Sequence, residues 1–343
     1  MQEQKAISYH DGLIIKALAV MMMVIHHSFG FAAYYTDAPA YLADTHVYHL
    51  AHCFKMCVPI FAFLTGWVYC QHKDKSFAYS AKKIVTLFSD YWVVVLPISL
   101  FAFTFCGYNY SGAFLWDLVP ACPRSLMIFT WYLWFYVLMM LLFPMFNLLE
   151  NRRHYVWSVP LFTALLLGVM WCARELPLLH DVWLWYPSAV SGYVVAKLRL
   201  FEFCLRVLKP GLLSIAASLL PLAASLYIYR YHSSLLDMNA GYLSVPLFIL
   251  AVLWCSPLYR IKTAQNVLQF IGKHSMNIWF FHCLFFGEGT RAFVQKAVFI
   301  SDNPLWIFGS VFLISLVLSI LITPVQQRVK QVLLTPLWAK LGW

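Results

Sequence analysis

The chain is 343 residues long, 62% hydrophobic and only 11% charged, with a formal net charge of +10. A soluble protein of that length needs about a quarter of its residues charged to cover its surface, so a water-soluble domain is excluded and most of the surface must meet lipid. The basic residues are scattered through short loops rather than gathered in a patch, which excludes nucleic acid as a partner.

A bilayer span needs ~20 apolar residues. In chain order the candidates are 12–34, 50–70, 84–106, 127–149, 154–173, 182–198, 211–230, 242–258, 271–290 and 304–326, of which 182–198 and 242–258 are short. The expected fold is therefore all-α: a polytopic integral membrane protein of about ten transmembrane helices, one domain over residues 1–343. The first apolar run is too long for a signal-peptide core and lacks a small-residue cleavage site, so it is expected to stay as an anchor. With the N-terminus inside, inner segments hold seventeen of the 24 Lys and Arg and outer segments five, with Lys16 and Lys55 left within or beside the membrane. Positive residues favour the cytoplasmic side, so both termini are expected there.

The first span carries the chain's most expensive groups. Within Asp11–Tyr35, Lys16 and the pair His26–His27 interrupt an otherwise apolar run. Ionisable groups at that depth face a protein interior or a wet cavity, and function is their default reading. Eleven residues separate Lys16 from His27, about 20° from three full turns. The two therefore share a helix face roughly 16 Å apart, while His26 points about 80° away. Packing helices together by hydrogen bonds is the competing, purely structural use of such groups.

The second span combines Lys55, Pro59 and Gly66, and His52 lies near its outer end. Proline and glycine there permit a bend or a close approach. Lys73, Lys75, Lys82 and Lys83 follow on the inner side, then Asp90, a carboxylate inside the third span that either takes the place of a kink or pairs with a basic residue. Nine cysteines show no metal-like spacing and mostly behave as small hydrophobes; no metal site is expected, and a Cys106–Cys122 outer-face disulfide is the minor alternative.

Several segments resemble the acyltransferase-3 family of integral-membrane acyltransferases. The basic residue, ten residues and then His of its first span is here Lys16 and His27. Val58-Pro59-Ile60-Phe61-Ala62-Phe63-Leu64-Thr65-Gly66 is similar to its second-span pattern, with Thr for Ser, and Lys55 fits upstream. Trp131 to Phe135 followed by Pro144, then Ser191-Gly192-Tyr193, then Ile271-Gly272 through Ser275, Ile278 and His282 resemble later family segments, in order. The chain departs at Lys82-Lys83, where members often show Arg-x-x-Arg, and at Ser89-Asp90-Tyr91. Lysine lacks the bidentate fork that arginine offers a phosphate.

The resemblance implies an enzyme of the cell membrane, bacterial and multi-pass. It would move an acyl group, acetyl by expectation, from cytoplasmic acyl-CoA to a hydroxyl of a saccharide or lipid-linked glycan. Acyl-CoA is then a co-substrate, with no permanently bound cofactor. A neutral imidazole at His27 is suited to take the hydroxyl proton, or alternatively to carry the acyl group itself. Lys16 would stabilise developing negative charge. Lys82, Lys83 and Lys273 are the donor-binding candidates, with His274 beside them; His26, Lys55, His282 and Trp134 are the acceptor-side or supporting ones. A proton-coupled transporter or exporter is the alternative from another class, because intramembrane His and Lys also serve relays, although no matched pair of interrupted helices is visible.

Overall fold

The computed structural model describes residues 6–39, 42, 46–108, 118–119, 131–150, 164, 168, 177–231, 234–235, 238–287 and 289–342. These are helical almost throughout: α1 Tyr9–Phe29, α2 His46–Cys53, α3 Cys57–Gln71, α4 Phe77–Phe105, α5 Tyr132–Glu150, α6 Pro177–Lys197, α7 Leu200–Val207, α8 Leu212–Tyr231, α9 Gly241–Trp254, α10 Ser256–Tyr259, α11 Lys262–Phe286, α12 Arg291–Val298, α13 Pro304–Val329 and α14 Thr335–Lys340. A two-rung antiparallel ladder, Ser234–Leu235 with Met238–Asn239, joins α8 to α9.

Every expected span except 154–173, which lies almost wholly outside the described residues, overlaps a helix; residues 127–130 of the span 127–149 also lie outside the described residues, and α1 ends at Phe29, five residues before the expected end. Among the described residues five helical stretches are long and apolar enough to cross a membrane: Tyr9–Phe29, His46–Gln71, Phe77–Phe105, Leu212–Tyr231 and Pro304–Lys340. Tyr132–Met145 and Gly241–Trp254 are apolar but shorter. The burial pattern of α8 identifies its solvent. Ser214, Ser218 and Ser225 are buried, whereas Leu212, Leu213, Leu219 and Leu220 are 66–89% exposed. Serines inward and leucines outward is the arrangement of a helix whose outer face meets lipid. The chain is an all-helical membrane protein.

Two boundaries differ from expectation for physical reasons. The expected span 50–70 is interrupted by a 3-10 turn at Phe54–Met56, and α3 restarts at Cys57. Pro59 then lies in the first turn of α3, where its missing N–H costs no internal hydrogen bond. The expected span 271–290 is the second half of α11, which starts nine residues earlier, at Lys262. Its polar first turns, with Lys262, Gln265, Asn266 and Gln269, contain no Gly or Pro and are helix-compatible, but hydropathy sees only the apolar half.

Packing divides the chain into two compact units, one of Met1–Ala19, Met56–Ala81 and Trp134–Gly272, the other of Val20–Lys55, Lys82–Leu133 and Lys273–Trp343. In the first, α3 and α6 cross at backbone contact. A Cβ on Gly66 would lie 1.9 Å from the Ala189 carbonyl oxygen, and one on Gly192 would lie 2.0 Å from that of Phe63. Rings flank the crossing: Trp67 packs on Phe201 at 5.3 Å and Tyr69 on Phe143 at 4.9 Å. The carboxylate of Asp11 holds the start of α1 by accepting from the Ser8 hydroxyl at 2.6 Å and from the Tyr259 hydroxyl at 3.3 Å.

The second unit is built on α4, α11 and α13. Tyr91 and Phe280, both fully buried, meet edge to face at 5.8 Å. Below them lies a polar seam. Asn277 and Gln326 exchange two amide hydrogen bonds of 2.8 and 2.9 Å, and Gln326 also donates to the Asp90 carbonyl at 3.1 Å. Paired amides satisfy each other where lipid and neighbouring apolar side chains offer no partner.

Candidate functional site in the second unit

The last turn of α1 delivers His26 and His27, and the final third of α11 delivers His282. The Nδ1 of His27 stands 2.6 Å from the Nε2 of His282. Their ring centroids are 4.8 Å apart with 12° between the planes. Rings packed face to face would keep their faces about 3.5 Å apart, which the short N···N distance forbids. The two imidazoles therefore lie end to end in nearly one plane, so a ring N–H on one aims along the lone pair of the other.

His282 is fully buried, and its Nδ1 hydrogen-bonds the Trp279 carbonyl one turn earlier. His26 is 3% exposed and its Nδ1 donates to the Ala51 carbonyl at 2.9 Å, tying α1 to α2. The ring of His52 stands edge-on to His26 at 5.9 Å. Of the adjacent histidines of α1, His27 is thus the one facing a second imidazole, and His26 is anchored to backbone.

A turn folds back over the pair. After Phe29 the chain enters a 3-10 turn at Ala32–Tyr34 that sets the Tyr34 ring 6.2 Å and the Phe31 ring 6.5 Å from His27. On the far side, the Trp279 ring meets Tyr132 edge to face at 5.9 Å. Two residues of α12 hold the turn. Gln295, 5% exposed, donates to the carbonyls of Tyr34 and Phe285 at 2.7 Å each and accepts from the Thr36 N–H at 3.0 Å. Arg291 donates to the Ala33 carbonyl at 2.7 Å. Sequence reasoning passed over both, because a neutral amide and an arginine in a short helix carry no motif; the only signal was a Gln four residues after an Arg, on a helix too polar to span.

The other expected site residues are placed less closely. Lys16 is half-buried on α1, three turns before His27 on the same unbroken helix. Lys55 is exposed in the 3-10 break. Trp134 is half-buried near the start of α5, in the first unit. Lys82 is half-buried and its ammonium stands 5.8 Å over the Trp338 ring, while Lys83 and Lys273 are exposed. His274 hydrogen-bonds the Ser319 hydroxyl at 2.8 Å, so it braces α11 against α13. Asp90 accepts from Lys330 at 2.7 Å, which selects pairing over a kink. Cys122 lies outside the described residues, and Cys106 is a free thiol. Among the described residues no group of three His, Cys, Asp or Glu stands close enough to hold a metal ion.

What this arrangement can do is move a proton: two coplanar imidazoles in an aromatic setting, one of them on a helix that also carries a cation. No curated protein sequence and no solved structure matches the chain. The sequence pattern of one family, described as an acyltransferase domain, matches residues 13–324, from the first turns of α1 to the last apolar turns of α13. The match takes in both histidines of the coplanar pair and the two glycines of the α3–α6 crossing, and by it the chain belongs to the acyltransferase-3 family and is a membrane acyltransferase.

Proposed function

We propose that the protein transfers an acetyl group from acetyl-CoA to a hydroxyl of a saccharide or lipid-linked glycan at the cell membrane, with His27 as general base. The observation that carries this reading is the His27–His282 pair: a half-buried imidazole held in fixed orientation by a fully buried one inside a membrane acyltransferase. A hydroxyl is a poor nucleophile near neutral pH, and a positioned imidazole contributes 10²–10⁴-fold by taking its proton. The acceptor O–H gives its proton to the lone-pair nitrogen of His27 as its oxygen attacks the thioester carbonyl carbon. The tetrahedral intermediate collapses by breaking the C–S bond, and the proton leaves with the CoA thiol. Lys16 is assigned to negative charge on the donor, and Lys82, Lys83 and Lys273 to its phosphates. The rings of Phe31 and Tyr34 offer apolar faces to the C–H side of a sugar.

The test is label transfer. Purified protein in nanodiscs with radiolabelled acetyl-CoA should label an added glycan, and His27→Ala should lose at least a hundredfold of that rate. Equal transfer by the variant would remove His27 from the chemistry. Gradient-driven solute uptake into vesicles with no label transfer would make the protein a transporter.

A further inference from the structure

Hydrogen-bond accounting along the imidazole pair fixes more than proximity. A carbonyl oxygen can only accept, so the nitrogen of His282 that meets the Trp279 carbonyl, Nδ1, must carry the ring's proton. A neutral His282 then has its lone pair on Nε2. That nitrogen is 2.6 Å from Nδ1 of His27, along a nearly coplanar line, so Nδ1 of His27 must be the donor. The neutral His27 ring is left with its lone pair on Nε2, the nitrogen on the opposite side of the ring. One choice at a backbone carbonyl therefore propagates through two rings.

We propose that His282 is a positioning residue that locks His27 in its Nδ1–H tautomer and so assigns proton abstraction to His27 Nε2. The proposal rests on the reading of His27 as general base. The chain Trp279 C=O, His282, His27 puts an imidazole where a carboxylate often stands behind a catalytic histidine. A neutral orienter suits this setting: a carboxylate buried there would have to bear the cost of desolvating its charge. As His27 takes the acceptor's proton on Nε2, its Nδ1–H stays hydrogen-bonded to a lone pair, which stabilises the imidazolium. The positive charge forms near His26, Lys55 and Tyr34. The lone pair of His282 is a contact that steadies it.

The first measurement needs no variant. In nanodiscs with ¹⁵N-histidine, neutral His27 should show a protonated Nδ1, an unprotonated Nε2 and a nitrogen–nitrogen coupling across the hydrogen bond to His282. An Nε2–H tautomer, or no coupling, overturns the proposal whatever the enzyme does. His282→Gln keeps an acceptor oxygen near the former Nε2, and His282→Leu does not. His282→Leu should lower kcat on the order of a hundredfold, within the range a positioned base supplies, with KM within twofold, and His282→Gln should recover at least tenfold of that loss. Equal loss in the two variants, or a loss carried by KM, overturns the positioning role. Full activity of His27→Ala would instead overturn the general-base reading, while the tautomer and coupling still judge the lock itself.

Discussion

The Nζ of Lys330 stands 2.7 Å from Oδ2 of Asp90, joining α4 to the π-turn that follows α13. The carboxylate side chain is 5% exposed and the lysine 35%. Removing only the lysine strands a buried charge, which in a fully buried pair costs ~3–5 kcal/mol; partial exposure of Lys330 screens the pair, so about 2 kcal/mol is expected for Lys330→Met. Asp90→Asn combined with Lys330→Met should recover most of that loss, because neither charge is left alone. Thermal unfolding of the wild type, both single variants and the double variant checks this. Strictly additive losses would show that the two groups do not interact.

Asp90 also shows where sequence reading stops. A carboxylate inside an apolar span was visible, and so was the choice between a kink and a partner. The partner was not, because Lys330 is 240 residues away and its pairing depends on which helices pack and in what register. Helix positions were legible because lipid imposes long apolar runs. The 3-10 break at Phe54–Met56 and the polar first turns of α11 were not, since neither alters hydropathy enough to read. His27 was legible from its depth and its phase with Lys16. Its bond to His282 was not, because nothing in a motif says which way two rings face.

The family-like Thr65-Gly66 and Ser191-Gly192 segments acquire one shared reason. Each glycine is the hole into which the other helix's backbone fits, at Ala189 and Phe63. Close backbone approach of this kind is how membrane helices gain packing without a hydrophobic drive. Gly66→Ala or Gly192→Ala must push α3 and α6 apart, and overpacking of that sort costs about 1–3 kcal/mol. Either variant should aggregate at lower temperature in detergent, by several degrees in a size-exclusion thermal-stability assay. A Gly66→Ala protein as stable as wild type would mean that the helices can slide without loss.

Gln295 holds three backbone groups at once, and two of them belong to the turn over His27. Gln295→Leu leaves the carbonyl of Tyr34 and the N–H of Thr36 to find other partners, at a net cost of about 1 kcal/mol for each lost bond. The turn that carries Phe31 and Tyr34 should loosen while the imidazole pair itself stays in place. The expected result is a rise in the acceptor's KM of about fivefold to thirtyfold, with the KM for acetyl-CoA unchanged. Steady-state kinetics with each substrate varied in turn separates the two. A fall in kcat alone, with both KM values intact, would mean that the turn acts on His27 rather than on the acceptor.

The lysines assigned to the donor make the opposite prediction. Lys82→Ala with Lys83→Ala should raise the KM for acetyl-CoA about tenfold and leave the acceptor's KM alone, since a phosphate contact formed equally in ground and transition states changes binding only. Lys273→Ala should act in the same direction and more weakly, as a single exposed charge. Lys82 has a rival task, because its ammonium lies over the buried Trp338 ring of α14. If bracing that helix were its whole purpose, Lys82→Ala and Trp338→Ala would lower thermal stability alike and neither would move the donor's KM. Lysine meets phosphate as a point charge, so Lys82→Arg should keep the donor's KM within about twofold, whereas no neutral side chain at 82 should.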